Sequence, residues 1–332
     1  MRVLLTGATG FLGRSILARL GNEEHTLVAM TRNPAADLGA SSVEMVVGDV
    51  LDPESLKAAM AGVDVLIHGA GRVSHDPADS ADLWKLHVTG TENVLDAAAA
   101  AGVSRVVYIS TSGTIAVSDD LKAIPNEDAP PPLSFIKTWP YYRSKLFAEQ
   151  AALARSSASL PIISLNPSLL LGPGDVPDGP STASVRHFLD GDVPASPPGG
   201  LSFVDVRDVA EAVAIALTRG EPGARYLLGS ANMSFADFYG RLARISDKSA
   251  PLATMPAATL KLLRFLPKWK KIGTTFGVDL TREELELGCH CWYLDHTRAT
   301  TDLGWTPRDP QRTLEDTVHD IQSRAGEYEP WV

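Results

Sequence analysis

The chain is predicted to be an α/β protein with a doubly wound parallel sheet, and three observations predict it. Short apolar, β-branched runs alternate with helical patterns through the first half. A glycine-rich turn joins the first run to the first helix, and the alternation stops after Asn166-Pro167. Strands that read as continuous apolar runs are buried on both faces, as they are when helices cover both sides of a parallel sheet.

The first run, Val3-Leu4-Leu5, feeds Thr6-Gly7-Ala8-Thr9-Gly10-Phe11-Leu12-Gly13. Glycines let the backbone turn sharply and let a pyrophosphate come close. A helix beginning near Phe11 offers unpaired N–H groups and the positive end of its dipole. The glycines at 7, 10 and 13 are spaced GxxGxxG rather than GxGxxG. A helical pattern (Ile16, Leu17, Leu20) and a second strand, Thr26 to Met30, complete a βαβ unit of about 30 residues. The ligand this unit predicts is a dinucleotide. Where an NAD-selective chain places Asp or Glu after the second strand, this one has Thr31-Arg32. With no carboxylate to repel a 2′-phosphate and a guanidinium to grip one, NADP(H) is expected to be preferred, with NAD(H) the second choice.

The third strand is Val43 to Val47, leading into Gly48-Asp49-Val50. A helix opens at Asp52-Pro53-Glu54, with Asp52 as cap and Pro53 at the first helical position. Val63 to Ile67 is the fourth strand, ending at His68-Gly69-Ala70-Gly71, and a long helix covers about Leu83 to Ala101. Val106 to Ile109 is the fifth, running into Ser110-Thr111-Ser112. A helix from about Tyr141 to Arg155 and a sixth strand, Ile162 to Leu165, follow. Residues 172–200 are rich in Gly, Pro, Asp and Ser. Leu201 to Val206 and the helix Arg207 to Leu217 read as a return to the sheet domain. The expected division is 1–171 plus 201–219 for the dinucleotide-binding domain. Residues 172–200 plus 220–332 would form a smaller, mostly helical substrate lobe over the carboxyl ends of the strands.

Composition excludes several classes. The 332 residues are 44% hydrophobic and 21% charged, with a net charge of −10 and no basic stripe, so no nucleic-acid partner is expected. Cys289 and Cys291 give no disulfide framework, which points to a reducing, cytoplasmic setting. Cys289-His290-Cys291 lacks the second ligand pair of a zinc site, so no metal is expected. The first strand starts at Arg2, leaving no room for a signal peptide before it. No apolar run approaches the ~20 residues of a membrane span. The basic, apolar stretch 259–271 could dock weakly on a membrane surface, but Pro267 interrupts it and a wall of the substrate cleft is the preferred reading.

The chemistry is expected in Tyr141-Tyr142-Arg143-Ser144-Lys145. Residues four apart share a helix face. A free tyrosine titrates near ~10, and a neighbouring ammonium favours the phenolate, so Tyr141 could exchange a proton with a substrate oxygen. Thr111 or Ser112, at the end of strand five, could hold the same oxygen. His75 and Arg72 could face substrate.

These motifs, with Gly48-Asp49-Val50, Asn166-Pro167 and Phe203-Val204-Asp205-Val206-Arg207-Asp208-Val209, resemble the extended short-chain dehydrogenase/reductase superfamily. The similarity is to its NAD-dependent epimerase/dehydratase members, in the dihydroflavonol 4-reductase and 3β-hydroxysteroid dehydrogenase-like branch. It runs from residue 1 to about 320 and is strong in the first 215. The resemblance implies a Rossmann domain, Tyr141 as general acid/base, and Lys145 lowering the tyrosine pKa and binding ribose. It implies Thr111 as the assisting hydroxyl, with Ser112 as second choice. Cofactor contacts would come from Gly7, Thr9, Gly10, Phe11, Leu12, Gly13, Arg32, Asp49 (to the adenine amine), Val50, Gly69, Ala70, Gly71, Lys145 and Pro167. Similar sequences often carry Asn where this chain has His87, for which a structural role is expected.

The leading expectation is an NAD(P)(H)-dependent oxidoreductase interconverting a ketone or aldehyde and an alcohol on a small or medium, largely apolar substrate. One alternative is a nucleotide-sugar epimerase or dehydratase with tightly held NAD. The short, uncharged segment Pro197 to Ser202 argues against a diphosphate there. A non-catalytic NADP-binding sensor is the third. A homodimer is compatible with all three.

Overall fold

A computed structural model describes residues 1–39, 42–175, 179–256 and 286–327. Seven parallel strands form the main sheet: β1 (Arg2–Thr6), β2 (Thr26–Thr31), β3 (Glu44–Val47), β4 (Val65–His68), β5 (Arg105–Ile109), β6 (Ile162–Pro167) and β9 (Arg225–Leu228). Their order is β3-β2-β1-β4-β5-β6-β9, so the winding reverses between β1 and β4. Ligands of such sheets bind at that reversal, beyond the carboxyl ends of the strands.

Alternation along each strand builds two cores. Val3, Leu5, Val107 and Ile163 point to one face, where α1 (Phe11–Leu20) packs on α8 (Val206–Ala216). Leu4, Leu66, Val106 and Tyr108 point to the other. That face is covered by α2 (Pro53–Ala59), α4 (Gly90–Ala101) and α6 (Pro140–Ala154). With both faces covered, a two-residue period leaves no polar side, and the strands read as unbroken apolar runs.

Two expectations change. The long helix starts earlier and is not uniform: α3 (Ser80–Trp84) passes through a π turn, Lys85–Thr89, before α4 begins. After residue 200 it is the helix that returns to the sheet domain. The strand β8 (Gly200–Asp205) joins a second, four-stranded sheet with β7 (Leu169–Leu171), β10 (Ala231–Ser234) and β11 (Cys291–Trp292). The main sheet takes β9 instead, because Ser164 to Pro167 pair in register with Arg225 to Leu228. The small sheet carries its own core with α7 (Pro180–Asp190), α9 (Phe235–Ser246) and α10 (Pro310–Glu327), where Phe188, Phe203, Phe238 and Leu314 are buried together. The stretch 259–271 lies outside the described residues. Among the described residues no helix is long and apolar enough to cross a membrane.

Candidate active site

At the winding reversal the end of β1 meets the end of β4. Gly7 has φ +78°, and a Cβ there would lie 2.6 Å from the Gly69 carbonyl oxygen. At Gly13 a Cβ would meet the Gly7 carbonyl at 2.2 Å. Only glycine allows this approach of turn, helix and neighbouring strand. Helix α1 begins at Phe11 after Gly10, with no side chain capping its first N–H groups. Open donors beside a bare backbone cradle fit a pyrophosphate.

The two strand ends are tied by side chains. The Ala70 N–H donates to Thr6 Oγ1 (3.1 Å), which also lies 2.8 Å from His68 Nδ1. His68 Nε2 sits 3.0 Å from Thr91 Oγ1 on α4. Burial drives the His68 pKa down to about 3, helped by the charge of Lys145, so the ring is neutral. Gly69 and Ala70 therefore face the Gly7 turn, while Gly71 lies against the His87 ring.

Beyond the cradle, at the ends of β2 and β3, Asp49 follows β3 and is half-buried; its Oδ1 accepts from the Leu51 N–H at 2.9 Å. Val50 is buried against Gly90. Thr31 is buried and its hydroxyl accepts from the Asn33 N–H at 3.1 Å, whereas Arg32 is exposed at the end of β2.

The reaction side is built on α6, which starts with Pro140 at its first position. Tyr141 is half-buried, and its hydroxyl bonds the Thr111 side chain. Thr111 lies two residues beyond β5 and caps the short turn Ser112–Thr114; its Oγ1 also accepts from the Gly113 N–H at 3.3 Å. Ser112 is buried at the start of the short turn that follows. One helical turn beyond Tyr141, the Lys145 ammonium donates to the Ile109 carbonyl (2.7 Å) and to Tyr108 Oη (3.2 Å). Pro167, at the end of β6, is buried, and the next N–H, that of Ser168, is taken up by the Leu228 carbonyl at 2.9 Å.

The electrostatics differ from the sequence expectation. Burial pushes the Tyr141 phenol up to about 12, partly offset by the Thr111 hydrogen bond. Burial lowers the Lys145 amine to about 8, opposed by the charge of Glu149. The expected depression of the tyrosine is not met, because the ammonium directs its protons to Ile109 and Tyr108.

His87 is placed by the π turn and is buried. Its Nε2 accepts from the Arg72 N–H (3.2 Å), which puts its proton on Nδ1, facing Ser144 Oγ at 2.8 Å. Ser144 Oγ in turn donates to the Tyr141 carbonyl at 2.9 Å. A neutral ring, its pKa lowered to about 3 chiefly by burial, thus links the loop after β4 to the first turn of α6. The expected structural role involves α6 as well as backbone. His75 lies near the Tyr141 and Tyr142 rings (centroids 6.3 and 6.1 Å), while Arg72 pairs with Asp79 at 3.2 Å.

Aromatic rings continue outward from Tyr141. Tyr142 is 5.0 Å from it between centroids and 4.9 Å from Trp292, which packs on Trp139 at 5.5 Å. Behind the site lies a network that sequence reasoning missed, formed by Tyr108, Ser110, Thr114, Glu149, Asn166 and Arg225. Its one legible signal was Glu149, four residues after Lys145 on the same helix face.

The model of the "NAD dependent epimerase/dehydratase family" matches residues 3–229. The chain belongs to that family. A Synechocystis protein provisionally named as a dihydroflavonol 4-reductase is 30% identical over 329 residues, covering 97% of this chain and 94% of its own. Cinnamoyl-CoA reductase 1 of Oryza sativa is 32% identical over 240 residues, covering 68% and 70%. The crystal structure of gox2253 superposes with a TM-score of 0.84 at 31% identity, covering 97% of this chain and 98% of that one. This epimerase/dehydratase family member is an extended short-chain dehydrogenase/reductase, and an NAD(P)-dependent oxidoreductase.

Proposed function

We propose that the protein is an NADP(H)-preferring reductase that interconverts a ketone or aldehyde and an alcohol on a small or medium, largely apolar substrate. The observation that carries this reading is the hydroxyl pair Tyr141 and Thr111, with the Lys145 ammonium one helical turn away at the same strand end. The glycine cradle, Asp49 and Lys145 would hold the dinucleotide, which supplies the hydride when bound. The chain manages the proton. A phenol raised to about 12 is protonated at neutral pH, so Tyr141 is a donor to a carbonyl oxygen that is becoming an alkoxide. Thr111 steadies that oxygen. The rings of Tyr142, Trp139 and Trp292 support an apolar, aromatic-bearing carbonyl compound. The reductase names of the relatives support the same direction.

The test is a consumption screen of NADPH and NADH against aromatic, steroid and aliphatic ketones and aldehydes. NADPH oxidation with at least one apolar carbonyl class is expected. No consumption with any of them, together with NAD retained through purification, would replace this reading with the epimerase alternative.

A further inference from the structure

Glu149 is fully buried on α6, two turns beyond Tyr141. Donors from three strand ends converge on it. Its Oε2 accepts from Ser110 Oγ and, at 2.7 Å, from Asn166 Nδ2; Thr114 Oγ1 lies 3.1 Å away. Its Oε1 is 3.2 Å from an Arg225 guanidinium nitrogen on β9. The same donors reach the Thr111 carbonyl: Asn166 Nδ2 at 3.1 Å and Thr114 Oγ1 at 2.9 Å. Thr114 has one proton, so it serves the carboxylate or the carbonyl at any moment. Ser164 Oγ donates to Asn166 Oδ1 at 2.8 Å, which fixes the amide with its NH2 group toward Glu149.

A buried carboxylate is costly unless paired and hydrogen-bonded. Here the donors to Oε2 lie on the segments that carry Thr111 and Pro167, whereas among the described residues Oε1 accepts no hydrogen bond and has only the Arg225 ion pair. We propose that Glu149 is a positioning residue for both partners of Tyr141: it fixes the Thr111 backbone through Asn166 and Thr114, and, one helical turn beyond Lys145 on the same face of α6, it sets the charge environment of that amine. The proposal rests on the reading of Tyr141, Thr111 and Lys145 given above.

The groups facing Lys145 allow the charge effect to be isolated. They are Tyr108 on β5, His68 at the end of β4, His87 on the π turn, and Glu149 on its own helix. Both histidines are neutral above about pH 3 and Tyr108 is pushed well above its ordinary value. Neither histidine nor Tyr108 changes charge between pH 6 and 9, so a shift in that range on altering Glu149 reports the carboxylate.

The experiment is competitive labelling of Lys145 with acetic anhydride across pH, read by peptide mass spectrometry on the full chain without cofactor. In Glu149→Gln the labelling midpoint should fall by on the order of one pH unit. In Glu149→Asp the charge remains but the carboxylate retracts; the midpoint should stay near the native value while kcat drops by about 10–100-fold. A purely structural role would lower activity without moving the midpoint. An unchanged midpoint in Glu149→Gln overturns the charge effect, and native kcat in Glu149→Asp overturns the positioning. If Glu149→Gln does not fold, the milder Glu149→Asp still decides the second point. Labelling needs no turnover, so the result stands apart from the identity of the acid; a Tyr141→Phe variant of full activity would refute the functional reading alone.

Discussion

The two ends of the candidate site are made from different materials. At the β1–β2–β3 end, binding features come from backbone: a glycine at φ +78°, an uncapped helix start, and one exposed arginine after β2. At the β5–β6–β9 end they come from buried side chains that hydrogen-bond or ion-pair with one another, with Glu149 and Asn166 at the centre. A backbone cradle tolerates change in nearly everything except its glycines. A buried network depends on each member, since losing one partner leaves another polar group unsatisfied. The first end is therefore suited to gripping a constant ligand part, and the second to holding a proton donor in one geometry.

The sharpest way to break this contrast is Tyr141→Phe. If proton transfer belongs to the β5 end alone, kcat should fall by about 10²–10⁴-fold. Cofactor Kd, measured by fluorescence titration, should stay within about threefold of native, as the lost hydroxyl lies away from the glycine cradle and the ring that packs there is kept. A Phe variant with near-native kcat, or one that no longer binds cofactor, would erase the division of labour.

The same contrast explains what the sequence made legible. Backbone features have local signatures, so the cradle, the βαβ unit and six of the main strands follow from glycine spacing and apolar runs. Tyr141 and Lys145 were readable because they lie on one helix face, four apart. Glu149 was readable by the same rule. Arg225 was not, because it reaches Glu149 only once β9 pairs with β6, and nothing near either residue announces that pairing. The strand Gly200–Asp205 misled for a related reason: its apolar run is that of any buried strand, and its register partners Ala231 to Ser234 decide which sheet it joins. The π turn that aims His87 adds no pattern distinct from the helix around it.

Between the ends two neutral histidines tie neighbouring segments, His68 to Thr6 and Thr91, His87 to Arg72 and Ser144. Both have folded pKa values lowered to about 3 from an ordinary 6.5. A base depressed on folding binds more protons when unfolded, so its stabilisation is full above the ordinary pKa and is lost as pH falls toward the folded one. Below pH 6.5 each histidine should remove up to about 1.4 kcal/mol per pH unit, before most carboxylates begin to titrate. Urea midpoints between pH 7 and 4.5 should therefore fall steadily, and His87→Gln should roughly halve the slope. A flat profile over that interval would mean that neither ring is buried neutral.

The smallest expected effect tests the other end. Arg32 stands exposed after β2, where an acid would select the ribose 2′-hydroxyl of NAD. A charge-assisted pair between its guanidinium and a 2′-phosphate is worth roughly 1.5–3 kcal/mol. Arg32→Ala should weaken NADPH by about one to two decades in Kd and leave NADH nearly unchanged. At saturating NADPH its kcat should equal the native value, because the phosphate lies at the far end of the site from Tyr141 and interacts alike in ground and transition states. Thr31→Asp should push the preference further toward NADH by adding repulsion, at some cost in stability, since Thr31 is buried and its hydroxyl holds the Asn33 N–H. The measurement is the Kd of both cofactors by titration on the native chain and both variants. Equal native affinity for the two, with Arg32→Ala changing both alike, would make Arg32 a solvated loop charge. The selectivity of the backbone-built end would then have to come from the cradle itself, and the NAD-bound epimerase reading would gain support.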